Sequence, residues 1–411
     1  MCNRYHNNST SKLSVNATTL LKFFSLIAPA PLPIKLLKQI SCSISTNQFN
    51  DAIEELTSHH ILINNLNLLT LNDNALEFAH SDLDNKQFIK ENLDAIFNEC
   101  ENIIEEQSFY PLNEIEYILS HLEYILSQSH VNIDQKVRLL SIIAAFYENN
   151  SDIDIAVTYR QQALDCAVKC YSDLNPIVNL CKSNFALVLY DQGKSEDAIA
   201  LLQNLLNELK SNFSFAHPSI IAIQVHLASI FKDQCRYEDA ERLLHEALDA
   251  ANSKYHAGHP EIIDIQIQLA QLLQIEGKYE SAFTILNDCL KAAQKRYSSD
   301  DPEISRIQSN IGTLLHDMDF LEEAKSALYQ SLLSAQQNFD CNHPTIALRQ
   351  SNLALVLYDL GEYTSAINLI KTSYQTFFEL YGPNHPKTKT VITTMRTFHL
   401  ASGQQTLFGN A

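Results

Sequence analysis

The sequence predicts an all-α superhelical stack of helical hairpins, preceded by a small head of three helices and a β-hairpin. Three observations carry the reading. Prolines recur at Pro176, Pro218, Pro260, Pro302, Pro344 and Pro386, always 42 residues apart. Alanines keep the same step at Ala156, Ala198, Ala240, Ala282, Ala324 and Ala366, and a third series of small residues runs Ala144, Ala186, Ala228, Ala270, Gly312, Ala354. Residues 351–370 and 183–202 are identical at twelve of twenty positions, and their offset of 168 residues is four steps. Repetition at a fixed step marks a stacked array, in which each unit hides its apolar face against the next.

In chain order, residues 1–17 are expected to be a disordered N-terminus and residues 18–80 a small domain. Helical patterns at 18–28, 32–40 and 48–58 are followed by ILIN (61–64) and LLTLN (68–72), which read as a short hairpin around Asn64–Asn65. Residues 84–130 give two linking helices. The second contains EIEYILS-HLEYILS, a seven-residue echo too short for a coiled coil, and is expected to pack against the first repeat and cap the array.

Six repeats follow at 134–175, 176–217, 218–259, 260–301, 302–343 and 344–385, then a closing helix at 386–403 and a tail at 404–411. Within a unit the apolar spacing is helical: Leu180, Phe185, Leu189 and then Ile199, Leu202, Leu206 mark two stripes split at Gly193. Proline at the first helical position presets φ and loses no useful N–H. The residue before it, Asn175, His217, His259, Asp301, His343 or His385, stands at the N-cap. Gly193, Gly277, Gly361 and Gly403 fall where the first helix stops. In the closing helix Arg396 occupies the small-residue position, as suits a helix with no following hairpin to admit.

The spacing carried by Phe185, Ala186, Leu189, Ala198, Leu202 and Leu205, and again by Leu227, Ala228, Phe231, Ala240, Leu244 and Ala247, resembles the tetratricopeptide repeat. The fourth unit repeats it with Leu269, Ala270, Leu273, Ala282, Leu286 and Cys289. The 42-residue step, the His-Pro punctuation and phrases such as GKYESA (277–282) look like the kinesin-light-chain type. LLKFFSLIAPAPLPIKLL…AIEELTSHHIL is similar to the winged-helix segment of STAND-type signalling ATPases, with Asn72 where that family commonly has histidine. The resemblance implies a fold and not a ligand. Chaperone-tail-binding tetratricopeptide proteins use a Lys/Asn clamp, and the matching positions here are Ser183, Leu187, Val225 and Ser229.

Composition excludes several function classes. The chain has 8 glycines, the first at Gly193, too sparse for a loop that cradles phosphate. The net charge of −19 argues against nucleic acid and anionic membranes as partners. The head's third helix carries Asp51, Glu54 and Glu55 and no Lys or Arg, a poor DNA reader. Nine cysteines with no C-x-x-C pair suit a reducing, cytoplasmic compartment, and Cys166 and Cys170 read as small packing residues rather than metal ligands. FFSLIAPA (23–30) has too short an apolar run for a cleaved signal, and no run of ~18 apolar residues spans a bilayer. Acid pairs such as Glu322–Glu323 suit the starts of second helices.

The recurring histidines are expected to cap helices. Asn184, Asn310 and Asn352 read as structural, and the ladder Gln224, Gln266, Gln308, Gln350 either holds a peptide or bridges neighbouring helices. Neither a catalytic constellation nor a cofactor or metal site is expected. A groove lined by first helices is, with Tyr190, Ser229, Lys232, Gln271, Gln274, Arg306, Thr313, His316, Ser351 and Tyr358 facing it. Such a lining fits a protein partner, as an extended peptide or a helix, rather than a small-molecule substrate. The expected function is therefore a protein-interaction scaffold. The alternatives are a peptide-sensing transcription regulator, or a STAND-type fragment whose ATPase module acts in trans.

Overall fold

In a computed structural model of the chain, the residues described are 13–24, 26–27, 30–41, 44–65, 68–71, 86–105, 112–128 and 131–402. Asn72, Gly403 and the tail 404–411 lie outside them. The chain divides into two compact units, Met1–Cys166 and Ala167–Ala411.

The first unit begins with α1 (Val15–Phe24), β1 (Leu32–Pro33), α2 (Ile34–Ile40), α3 (Thr46–Ser58), β2 (Leu62–Asn65) and β3 (Leu68–Leu71). The strands form one antiparallel sheet in the order β1-β3-β2. Asn64 and Asn65 pair with Leu69 and Leu68, so they belong to the first hairpin strand rather than to its turn. Pro33 ends β1 at the sheet edge, where a missing N–H costs no ladder bond. On α3, Asp51 and Glu54 are exposed, and Glu55 accepts a hydrogen bond from the Ser14 backbone N–H at 2.8 Å. Its face is acidic.

Next come α4 (Lys86–Glu105), α5 (Leu112–Ser127), α6 (Ile133–Asn149) and α7 (Ile153–Cys170). Helices α4 and α5 both pack on α6. One hydrophobic cluster joins Leu37, Phe49 and Leu69 of the head, Phe97 and Leu122 of the linking helices, and Leu139, Ile142, Ile143 and Phe146 of the first hairpin. The head and the first repeat thus share a core. On α7, Arg160 is buried and meets Glu148 through two parallel bonds of 2.7 Å, the bidentate geometry in which a buried guanidinium is compensated.

The second unit is a run of hairpins: α8 (Pro176–Asp191) with α9 (Ser195–Asn212), α10 (Pro218–Asp233) with α11 (Tyr237–Lys254), α12 (Pro260–Ile275) with α13 (Tyr279–Ala293), α14 (Pro302–Asp317) with α15 (Leu321–Asn338), and α16 (Pro344–Asp359) with α17 (Tyr363–Tyr381). The closing helix is α18 (Pro386–Ser402). Every first helix starts at a proline of the 42-residue series.

The residue before each proline does what the spacing predicts. Asn175 and Asp301 accept from backbone N–H groups two residues on, at 2.9 and 2.8 Å. His217, His259, His343 and His385 accept at Nδ1 from the equivalent N–H at 3.1–3.2 Å, which puts the ring proton on Nε2 when neutral. Each of these rings also lies against the aromatic four residues before it, Phe213, Tyr255, Phe339 or Tyr381, with centroids 4.0–4.4 Å apart. Capping and stacking together account for the His-Pro punctuation.

The turn between helices needs one left-handed residue. Gly193, Gly277 and Gly361 supply it at φ +75 to +88°, where a side chain would be strained. Cys235 and Asp319 take the same conformation at φ 59° and 63° in the units without glycine. Small residues let the paired helices approach. Gly312 is the tightest case, since a Cβ there would stand 2.5 Å from Leu328 Cγ. Arg396 on α18 is exposed, while Val391, Met395 and Phe398 are buried against the last hairpin.

Candidate functional site

Successive first helices of the second unit lie side by side: α8 touches α10, α12 touches α14, and α14 touches α16. The side chains along this inner face are the ones the sequence singled out, but several are already engaged with the next repeat. The Tyr190 hydroxyl donates to Asp233 Oδ2 at 3.3 Å, Gln274 Nε2 donates to Asp317 Oδ2 at 2.6 Å, and His316 Nε2 meets Asp359 Oδ2 at 2.6 Å. These are rungs of one ladder, each joining a residue to the aspartate 43 positions on. Burial, then the neighbouring Asp233, raises the Tyr190 hydroxyl pKa above its ordinary value. Lys232 holds the equivalent place on α10, and the position opposite is Ile275, so its rung is missing and it has no partner among the described residues. Lys232 and Ser229 are both half-buried on α10. Deeper on the same face, Ser183 Oγ and His226 Nδ1 are 2.8 Å apart, and burial lowers the pKa of that imidazole.

Two further expected groove residues are covered by packing. Ser351 is only 7% exposed, at a position shared with Val225, Ile267 and Ser309, all of which are buried. Ser351 is therefore largely covered by the packing between helices, and it is not among the residues that line the pocket described below. Tyr358 is stacked on Phe398 of the closing helix, centroids 4.1 Å apart and planes 5° from parallel, and its hydroxyl donates to the Phe398 carbonyl at 3.3 Å. The closing helix covers the face that Tyr358 was expected to offer. Of the glutamine ladder, Gln224 Nε2 donates to Glu246 Oε2 at 2.7 Å, bridging its own hairpin.

Gln271, Arg306 and Thr313 do come together. They line an open pocket of about 460 Å³ formed by α12, α14 and α16. Gln271 Nε2 donates to Asn310 Oδ1 at 2.9 Å, and Thr313 Oγ1 donates to the Asn310 carbonyl at 3.0 Å. Arg306 reaches back one repeat to Asp264 Oδ1 at 2.9 Å and along its own helix to Glu303 Oε2 at 2.8 Å. Burial works to lower the Arg306 pKa, yet these two carboxylates hold it above the ordinary guanidinium value. The pocket also contains Ser309, Asn352 and Arg349, with Ile267 and Leu348 as apolar wall. Arg349 Nη1 donates to Ser309 Oγ at 2.9 Å, and Asn352 Nδ2 approaches the same oxygen at 3.5 Å. Arg349 was missed by the sequence reading, although the 42-residue step exposes it: the series Leu139, Cys181, Ile223, Ile265, Ile307, Val391 is apolar everywhere else.

Residues 219–295 and 303–377 match the tetratricopeptide repeat family. The two matched stretches take in the hairpins α10–α11 and α12–α13, and then α14–α15 and α16–α17. No curated protein matches the chain. Among solved structures, a Podosopora anserina putative kinesin light chain with nearly identical TPR-like repeats is 20% identical, with 50% of this chain and 98% of that one covered and a TM-score of 0.43. A Rap protein complexed with competence and sporulation factor is 15% identical over 77% of this chain and 84% of its own, with a TM-score of 0.49. A STAND protein with a tetratricopeptide repeat sensor from Pyrococcus horikoshii is 15% identical over 95% of this chain, which spans 55% of that one, with a TM-score of 0.46. No helix among the described residues is long and apolar enough to cross a membrane.

Proposed function

We propose that the chain is an interaction scaffold that takes a partner's peptide or helix along the inner face of its second unit. Tetratricopeptide repeats are typically non-catalytic interaction modules, which supports a protein partner in general. The observation that carries the finer reading is the open pocket across α12, α14 and α16, where amides and guanidinium groups stand beside the apolar Ile267 and Leu348. Such a surface offers a segment apolar contact for affinity and polar groups for register. Because several inner-face side chains are held by their neighbours, less ordering remains to oppose binding. The described cysteines are all free, in keeping with a reducing, cytoplasmic setting.

The test is site-specific photo-crosslinking in a lysate. A crosslinker at Thr313 or at the exposed Leu348 should capture a discrete partner segment, and one at Tyr329, exposed on the second helix α15, should not. Capture from Tyr329 alone would overturn the assignment of the inner face.

A further inference from the structure

Arg349 stands where six equivalent positions hold a buried apolar residue, and it is itself only 8% exposed. Burying a guanidinium is costly unless a carboxylate compensates it. Arg160, also set in an apolar series (Leu202, Leu244, Leu286, Leu328, Ile370), has that compensation in Glu148. Arg349 does not. Among the described residues its hydrogen bond is to the Ser309 hydroxyl, and its Nε is buried with no partner there. The carboxylate that lines the pocket, Asp264, is taken by Arg306, which also holds Glu303 on its own helix. Burial, and then the like charge of Arg306, lower its pKa to about 10, so it remains a cation at neutral pH.

An uncompensated buried cation on the wall of an open pocket is half of an ion pair. We infer that this pocket binds a carboxylate of the partner segment, with Arg349 as the counter-ion and Asn352 beside it. The inference rests on the reading of the inner face as a peptide site, and it adds the chemistry of the ligand. A single charge fits better than a phosphate dianion. Only one of the pocket's two guanidinium groups lacks a carboxylate, and Asp264 repels a second negative charge. The carboxylate comes either from an Asp or Glu side chain or from a chain terminus.

The experiment follows the arginine side-chain NMR signals of the full chain, with the Arg349 signal assigned by its loss in Arg349→Ile. Four probes are titrated: acetyl-Ala-Glu-amide, acetyl-Ala-Ala with a free carboxylate, acetyl-Ala-Gln-amide, and inorganic phosphate. One or both carboxylate probes should shift the Arg349 signal saturably, with a Kd of order millimolar for so small a ligand. Which of the two does so identifies the source. The Gln probe should leave it unmoved, and phosphate should bind more weakly than the carboxylates. Arg349→Ile and Arg349→Gln should each weaken carboxylate binding by about tenfold or more, monitored on the Asn310 and Asn352 amides. Isoleucine is native to this position in three other units, so that variant should fold, and Arg349→Gln supplies a polar control.

Equal binding of the Glu and Gln probes, unchanged affinity in both variants, or binding of phosphate alone would each overturn the inference. The two readings fail separately. Carboxylate binding without a crosslinked partner at Thr313 would sink the scaffold reading. A partner still captured at Thr313, with no carboxylate affinity, would sink this one.

Discussion

Replacing Arg349 with isoleucine is expected to make the protein more stable, against the usual direction of a core substitution. Ile223, Ile265 and Ile307 fill the same place in other repeats and are at most 2% exposed, so the site accepts this shape. Burying the new side chain contributes about 2 kcal/mol. The lost bond to Ser309 Oγ costs about 1 kcal/mol, and the 3.5 Å approach of Asn352 Nδ2 offers that oxygen a replacement. Removing a desolvated, unpaired cation adds a further gain, and exchange of buried charge for well-packed apolar residues elsewhere stabilises by roughly 1–4 kcal/mol. The net expectation is about 2 kcal/mol in favour of the variant. Repeat arrays do not always unfold as one body, so urea denaturation should be paired with hydrogen exchange on α16 and α17. A higher urea midpoint and slower exchange there would agree. Destabilisation by more than about 1 kcal/mol would refute the reasoning, because it would mean that Arg349 is already compensated in the native state.

Three other outcomes follow from described contacts. Glu148→Gln should strand the buried Arg160 and cost about 3 kcal/mol, and the double variant with Arg160→Leu should recover most of it, both by urea denaturation. His226 is held below its ordinary value of 6.5 by burial, which outweighs the opposing field of Asp264. The unfolded chain therefore takes up that proton first as the pH falls: stability is complete above 6.5 and declines below it, toward the folded value. The urea midpoint at about pH 5 should lie below that at about pH 7.5, and His226→Gln should narrow the difference. Gly312→Ala should destabilise by about 1 kcal/mol, an overpacking cost of roughly 1–3 kcal/mol against a helix-propensity gain of about 1, and adding Leu328→Val should relieve it.

The step of 42 residues made the hairpins of the second unit legible: their first helices start at the prolines of the series, the residues before them cap, and the turns at Gly193, Gly277 and Gly361 fall where the series puts them. It could not place the left-handed conformation at Cys235 and Asp319, because nothing in those side chains asks for it. The inner face was legible as a face, and its accessibility was not. Tyr190, Gln274 and His316 are occupied by aspartates of the following repeat, contacts that appear only when neighbouring units are set together. The stacking of Phe398 on Tyr358 was not legible, because Phe398 belongs to a helix that departs from the repeat pattern. Arg349 was overlooked for the opposite reason. A repeat is recognised by what recurs, and the informative residue is the one that breaks its series.

The cluster shared by the head, the linking helices and the first hairpin has a practical corollary. A fragment trimmed to start at residue 134, where the periodic region begins, would strip the cover from Leu139, Ile142, Ile143 and Phe146. Four greasy side chains bared together at one end invite self-association. Anyone wishing to study the repeats in isolation should therefore keep the preceding helices, which act as the lid of the jar rather than as its label.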